Sequence, residues 1–221
     1  MANCRIRLFL ALLLLLPTAA FAHPHMFIQT AIAILFNDAG FATGIRVTWT
    51  YDSFTSLQIL TDHGMEEDGN GQLSAGQIAE LNGFDMTWQR GYQGDSFARL
   101  DQQALNLSGP RDWTLSYADG GISTTHVRDF DAPQDLRDHV LGISTYDPTY
   151  YVLYDLSPDI VLVNPPPKGH CRAIYRPADT AKAKKDLEAQ LRAMQNDPEI
   201  NFPAVGKQFA AEAWIICASG S

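Results

Sequence analysis

Along residues 26–36, Met26, Ile28, Ile32, Ile34 and Phe36 recur on one parity, and Thr30 is the only polar residue among them. A period of two puts all these side chains on one side of an extended chain, so the segment reads as a strand with one face bound for a core. The turn-forming Asn37-Asp38-Ala39-Gly40 follows, and then a second alternation in which Ile45, Val47, Trp49 and Tyr51 lie opposite Arg46, Thr48 and Thr50. Two such runs joined by a short turn predict an antiparallel hairpin. A chain that begins this way must cover the apolar face with a second layer.

The rest of the chain supplies that layer. Short alternating stretches from residue 97 to about 128 surround Leu105, Leu107, Trp113, Leu115, Tyr117 and Ile122, with turns at Ser108-Gly109-Pro110 and Asp119-Gly120-Gly121. Further strands are expected at 140–145, 150–156, 160–163 and 209–218, and Pro165-Pro166-Pro167 bars a ladder from continuing. A helix over 53–62 is expected to face Phe54, Leu57 and Leu60 inward. Another starts near Ser74, is interrupted at Asn82-Gly83 and extends toward Met86 and Trp88. Over 179–195, Ala183, Leu187, Leu191 and Met194 form a helical stripe opposite Lys182, Lys184, Lys185, Glu188 and Arg192. The expected fold is α+β: an antiparallel, β-rich, sandwich-like domain with a helix-loop-helix insertion over 53–92 and one C-terminal amphipathic helix.

Ahead of the first strand, Arg5 and Arg7 precede the apolar run Leu8 to Leu16 and the small-x-small site Ala20-Phe21-Ala22. This is the pattern of a secretory signal peptide over residues 1–22, with cleavage after Ala22 and a single periplasmic domain over 23–221. The run is too short to span a bilayer, and Cys4 leaves with the leader. Loss of Arg5 and Arg7 takes the formal charge from −9 to −11. Nucleic acid and anionic membrane surfaces, which need a basic footprint, are therefore poor partners, and cations are better candidates. Cys171 and Cys217 remain, and an even count in an oxidising compartment reads as a disulfide. The competing use, a thiolate metal site, is disfavoured where thiols are oxidised.

Two segments could bind metal. Cleavage exposes His23-Pro24-His25, whose free amine and imidazoles suit nickel, cobalt, copper or zinc. Pro24 has no N–H to lose, which argues against a site built on deprotonated backbone amides, and the competing reading is a frayed end with two solvated histidines. The second segment, Glu66 to Gln77, matches a calcium-loop register: Glu66, Asp68 and Asn70 occupy positions one, three and five, Gly71 the sharp turn, Leu73 the eighth and Ser74 the ninth. Gln77 replaces the bidentate Glu at position twelve, so any calcium affinity is weak. Ser74-x-x-Gln77 before Ile78 and Leu81 also forms a helix capping box, which explains both residues without a metal. His63, His126, His139 and His170 have no ligand-spaced neighbours and read as satisfied polar residues. No nucleophile elbow, His-Glu-x-x-His or phosphate loop is present, so no catalytic residue is assigned.

Taken together, the His-Pro-His start, Gly44 to Asp52, the calcium-type loop, Tyr146-Asp147-Pro148-Thr149-Tyr150-Tyr151 and the strand carrying Cys217 resemble the bacterial domain-of-unknown-function family numbered 1007. Proteins of that family are labelled uncharacterised periplasmic components of ABC-type transport systems. The resemblance covers the whole mature chain. It implies a companion of nickel/cobalt efflux-type membrane transporters, with His23 and His25 as metal contacts and Glu66, Asp68 and Asn70 as a separate cation loop. Glu66 at the first position and Gln77 at the twelfth depart from the usual loop. The expected function is a periplasmic, non-enzymatic accessory protein that binds a divalent transition metal and assists such a transporter. The alternative is a non-catalytic adaptor or structural module of a membrane complex, with no metal role.

Overall fold

A computed structural model describes residues 24–166, 171–194 and 202–218. The expected leader, His23 and His170 lie outside them. The elements in order are β1 (Met26–Phe36), β2 (Ala42–Tyr51), α1 (Ser53–Asp62), α2 (Ala75–Leu81), β3 (Ser96–Leu100), β4 (Gln103–Leu105), β5 (Arg111–Ala118), β6 (Gly121–Gln134), β7 (Val140–Thr145), β8 (Val152–Leu156), β9 (Val161–Val163), β10 (Cys171–Arg176), α3 (Thr180–Ala193), α4 (Gly206–Phe209) and β11 (Glu212–Cys217). Two sheets form, one ordered β5-β6-β2-β1-β8 with β9 also on β1, the other β10-β11-β7-β3-β4. This is the α+β, β-rich sandwich that the alternation predicts. Among the described residues no helix is long and apolar enough to cross a membrane.

The β1–β2 hairpin forms as expected, with Ile32 opposite Val47 and Ile34 opposite Ile45. Its buried parity meets Leu141, Ile143, Ala213 and Ile215 of the second sheet, all fully buried. Each branched side chain removed from water there contributes roughly 1.5–3 kcal/mol relative to an exposed one. The pairing is not wholly antiparallel. On its other edge β1 runs parallel to β8 and then to β9: Thr30 sits opposite Leu156 and Ala33 opposite Val161, so the partner strand bulges outward between them. A second, smaller cluster joins α3 to α4 through Ala183, Leu187, Val205 and Phe209. The α3 stripe is thus the buried one predicted, begun by Asp179, whose side chain accepts from the Lys182 amide.

Two helix expectations need correction. In α1 only Leu60 of the three predicted core residues is buried; Phe54 is 76% and Leu57 62% exposed, while Thr55 and Ser56 face inward. The cause is Ser56, whose hydroxyl accepts from the Ile122 amide (2.9 Å) and donates to the Tyr51 carbonyl (3.4 Å). Those bonds tie the helix to the ends of β6 and β2 and set its rotation against the hydrophobic pattern. The second helix stops at Leu81 and does not continue through Met86 and Trp88. Gly83 has φ +91°, and a Cβ there would meet the Trp113 indole at 2.7 Å, so the chain turns away at the interruption.

Cys171 and Cys217 form the predicted disulfide, directly opposite each other on β10 and β11. Replacing both by alanine lowers the unfolding free energy by up to about 4 kcal/mol in the chain-entropy account. Urea titrations of the two proteins test this value.

Candidate functional site

The break at Asn82-Gly83 sends residues 82–95 across one end of the sandwich, where an aromatic and polar cluster assembles. Trp88 anchors it: its Nε1 donates to the Asp85 carbonyl at 2.8 Å. Its ring stands edge-on to His126 and Tyr92, at 5.5 and 5.4 Å between centroids. Trp49 packs on His126 (4.8 Å) and on Tyr154 (5.8 Å). Gly94 is required beneath Trp88, since φ is +58° and a Cβ would lie 2.2 Å from a ring carbon.

Two carboxylates enter this cluster, each accepting from two hydroxyl groups, although among the described residues the Asp85 Oδ1 is buried without a hydrogen-bond partner. Asp85 accepts from Tyr51 (2.8 Å) and Thr124 (2.6 Å). Asp95 accepts from Tyr92 and Tyr154, both at 2.8 Å. Burial raises both carboxyls above the usual range, and the hydroxyl bonds offset this only in part. The buried cation is Arg128, whose guanidinium donates to the carbonyls of Gln93 (2.6 Å), Ser108 (2.8 Å), Leu107 (3.3 Å) and Ser96 (3.4 Å) and lies 4.9 Å from the Trp88 ring centre. Burial pushes it down to about 10.

His126 departs from the expectation of a satisfied polar residue. It is fully buried, and neither ring nitrogen has a hydrogen-bond partner among the described residues. Desolvation, with the nearby positive Arg128, pushes it down to about 4. His139 fits the expectation, its Nδ1 lying 2.7 Å from an Asp101 oxygen.

The amino end of β1 lies at the same end of the molecule. The backbone amides of His25 and Met26 both reach the Tyr151 carbonyl, at 2.9 and 3.3 Å, and the His25 and Tyr151 rings are 4.8 Å apart. Asp147 shapes the preceding turn by accepting from the amides of Thr149 (2.8 Å), Tyr151 (2.8 Å) and Val152 (3.0 Å). Gly206 packs so closely that a Cβ would lie 1.7 Å from the Asp147 carbonyl oxygen. Between this turn and residues 91–97 opens a cleft of about 420 Å³, lined among others by Tyr92, Asp95, Phe97 and Asp147. Three of the sequence motifs therefore meet here: His25 at the head of β1, Trp49 and Tyr51 from β2, and Tyr146 to Tyr151. Asp85, Asp95, His126 and Arg128 were not legible as site residues; the only local sign was the Gly- and aromatic-rich break in the helical pattern over 82–95.

The acidic loop is held by its own bonds. Asp68 accepts from the amides of Asn70 and Gln72, both at 2.9 Å, which holds its carboxyl below the usual range. Glu67 accepts from Tyr117 on β5. Gln77 completes the capping box with Ser74, and its side-chain amide donates to the Glu66 carbonyl at 2.9 Å. Among the described residues, no three His, Cys, Asp or Glu side chains converge on a metal-sized point. Glu66, Asp68 and Asn70 are thus neighbours in one turn, at a different place from His25.

The family model described as "Protein of unknown function (DUF1007)" matches residues 8–217. The chain belongs to that family, which covers both sheets, the polar cluster and the cleft. No curated protein matches the chain.

Two outcomes follow from this geometry. Because the folded state holds His126 near 4 against the usual 6.5, the unfolded chain takes up a proton that the native protein refuses between those values. Its contribution is intact above about pH 6.5 and is lost as pH falls toward 4, at about 1.4 kcal/mol per pH unit. The raised carboxyls of Asp85 and Asp95 act in the opposite sense, so the comparison is between the wild type and His126→Phe: unfolding titrations at several pH values show a shallower acid loss in the variant. For the acidic loop, calorimetry gives a calcium dissociation constant weaker than about 10⁻⁵ M, because Gln77 brings no second anionic oxygen.

Proposed function

We propose that this protein is a non-catalytic periplasmic accessory factor that binds nickel, cobalt, copper or zinc through its processed amino terminus and works with a nickel/cobalt-type inner-membrane transporter. The observation that carries this reading is the anchoring of His25: its amide and that of Met26 are fastened to the Tyr151 carbonyl. After cleavage only His23 and Pro24 would precede that anchor, so the free amine and the two imidazoles all lie within three residues of a fixed point of the fold. Such pre-organisation reduces the ordering cost of binding. The carboxylates Asp95 and Asp147 in the neighbouring cleft favour a cation there, and the strongly acidic mature chain does the same at longer range. Calcium binding through Glu66, Asp68 and Asn70 is no part of this reading.

The test compares three proteins by calorimetry with each metal: the form beginning at His23, the same form with one residue added before it, and a His23→Ala, His25→Ala variant. The first binds tightest, the second loses the amine, and the third loses most of the affinity. Copper binds most strongly in this series. Affinity falls on acidification, because amine and imidazole ligate only after losing their protons. Equal affinity in all three forms removes the proposal.

A further inference from the structure

Helix α1 turns its largest apolar side chains outward. Phe54 and Leu57, 76% and 62% exposed, are three residues apart and so share one face. A different rotation would cover them, but it would break the two bonds of the buried Ser56 hydroxyl. Neither side chain belongs to the buried core cluster. The helix rises from Asp52, its N-cap, and Asp52 is also one wall of a groove of about 280 Å³ whose lining includes Phe27, Leu153 and Asp155. Phe27 is itself 51% exposed. Through Asp52 the N-terminal end of α1 therefore adjoins this groove, which takes Phe27 and Gln29 from the exposed side of β1.

Asp52 and Asp155 line the groove and Asp62 closes α1, and neither the helix nor the groove lining contains a lysine or arginine. Between Arg46 and Arg90 the chain has no lysine or arginine, but it carries Asp52, Asp62, Glu66, Glu67, Asp68, Glu80 and Asp85. All of these except Asp85 are exposed. A second copy docked by this face would set carboxylates against carboxylates, and an anionic lipid surface would be repelled in the same way. A protein segment with apolar anchors flanked by lysine or arginine satisfies both features: apolar side chains for Phe54, Leu57 and the groove, and positive charge for the rim.

We propose that the exposed face of α1, with the adjoining Phe27 groove, is the docking surface for a basic, apolar-anchored segment of a protein partner. The inference stands apart from the metal-binding reading, since it uses neither His23 nor His25 and needs no ion. Aromatic anchors surrounded by a polar rim carry most of the energy of such contacts, and the acidic rim accelerates encounter in a salt-dependent way.

The experiment uses the protein from His23 onward with three synthetic helical peptides: leucines at helical spacing with lysine elsewhere, the same leucines with glutamine, and the same lysines with serine in place of leucine. Binding is followed by fluorescence anisotropy and by NMR shifts assigned to α1. The leucine–lysine peptide is expected to bind saturably and to shift Phe54 and Leu57. It should lose at least about tenfold affinity toward a Phe54→Ser, Leu57→Ser variant, in line with the truncation of an anchor pair. The other two peptides should bind at least about tenfold more weakly. Circular dichroism of the variant should match the wild type, because both positions are exposed. Equal binding of the leucine–lysine peptide to wild type and variant, its failure to bind at all, or self-association of the wild type that the variant abolishes would each overturn the proposal. So would stronger binding to vesicles of anionic phospholipid than to the peptide. None of these outcomes depends on the metal titrations, so the two readings fail separately.

Discussion

Strand β1 is hydrogen-bonded along both edges, to β2 on one side and to β8 and β9 on the other, and the arrangement of the polar end of the molecule depends on that double pairing. A strand in the middle of a sheet cannot leave either edge without partners, because its N–H and C=O groups are shut away from water. Filling the second edge of β1 brings residues 152–163 alongside residues 26–35. With them come Tyr154, which reaches Trp49 and Asp95, and the Tyr146 to Tyr151 turn, which receives the start of β1. Asp147 holds that turn by accepting backbone amides, and a charged acceptor makes such bonds stronger than neutral ones.

Among the described residues, the cluster that results handles buried charge without ion pairs. Asp85 and Asp95 are each held by two hydroxyl groups, and Arg128 by carbonyl oxygens and the face of Trp88. Neutral dipoles offset less of the desolvation cost than an opposite charge would. The raised carboxyls and the lowered guanidinium follow from this. Such a network demands particular partners at particular distances, and removing one leaves a costly buried group. His126, buried beside it with neither nitrogen paired among the described residues, makes the balance at this end of the sandwich dependent on proton concentration.

The local pattern carried much of the architecture. The alternations of β1 and β2 located the hairpin, and residues 140–145 correspond to β7 without change. The stripe at Ala183 and Leu187 marked α3, and Ser74-x-x-Gln77 marked the start of α2 with both reciprocal bonds in place. Even the disulfide followed from the two cysteines that remain once Cys4 is assigned to the expected leader. Each of these features depends on residues within a few positions of one another, or on chemistry that admits a single pairing.

Tertiary structure alone decided the rest. Apolar spacing predicted that Phe54 and Leu57 would face the core, yet a hydrogen bond from the distant Ile122 amide to Ser56 turned α1 the other way. Spacing also could not say that β1 would take a parallel partner on its second edge. Nor could it show that Asp85 would meet Thr124, that Asp95 would meet Tyr154, or that His126 would lie between two tryptophans. Helical and strand periods are set by the geometry of one short segment, so they are written in neighbouring residues. The rotation of a helix, the second edge of a strand and the ionisation of a buried side chain depend on groups far along the chain, and only the packed structure brings those groups within a few ångströms.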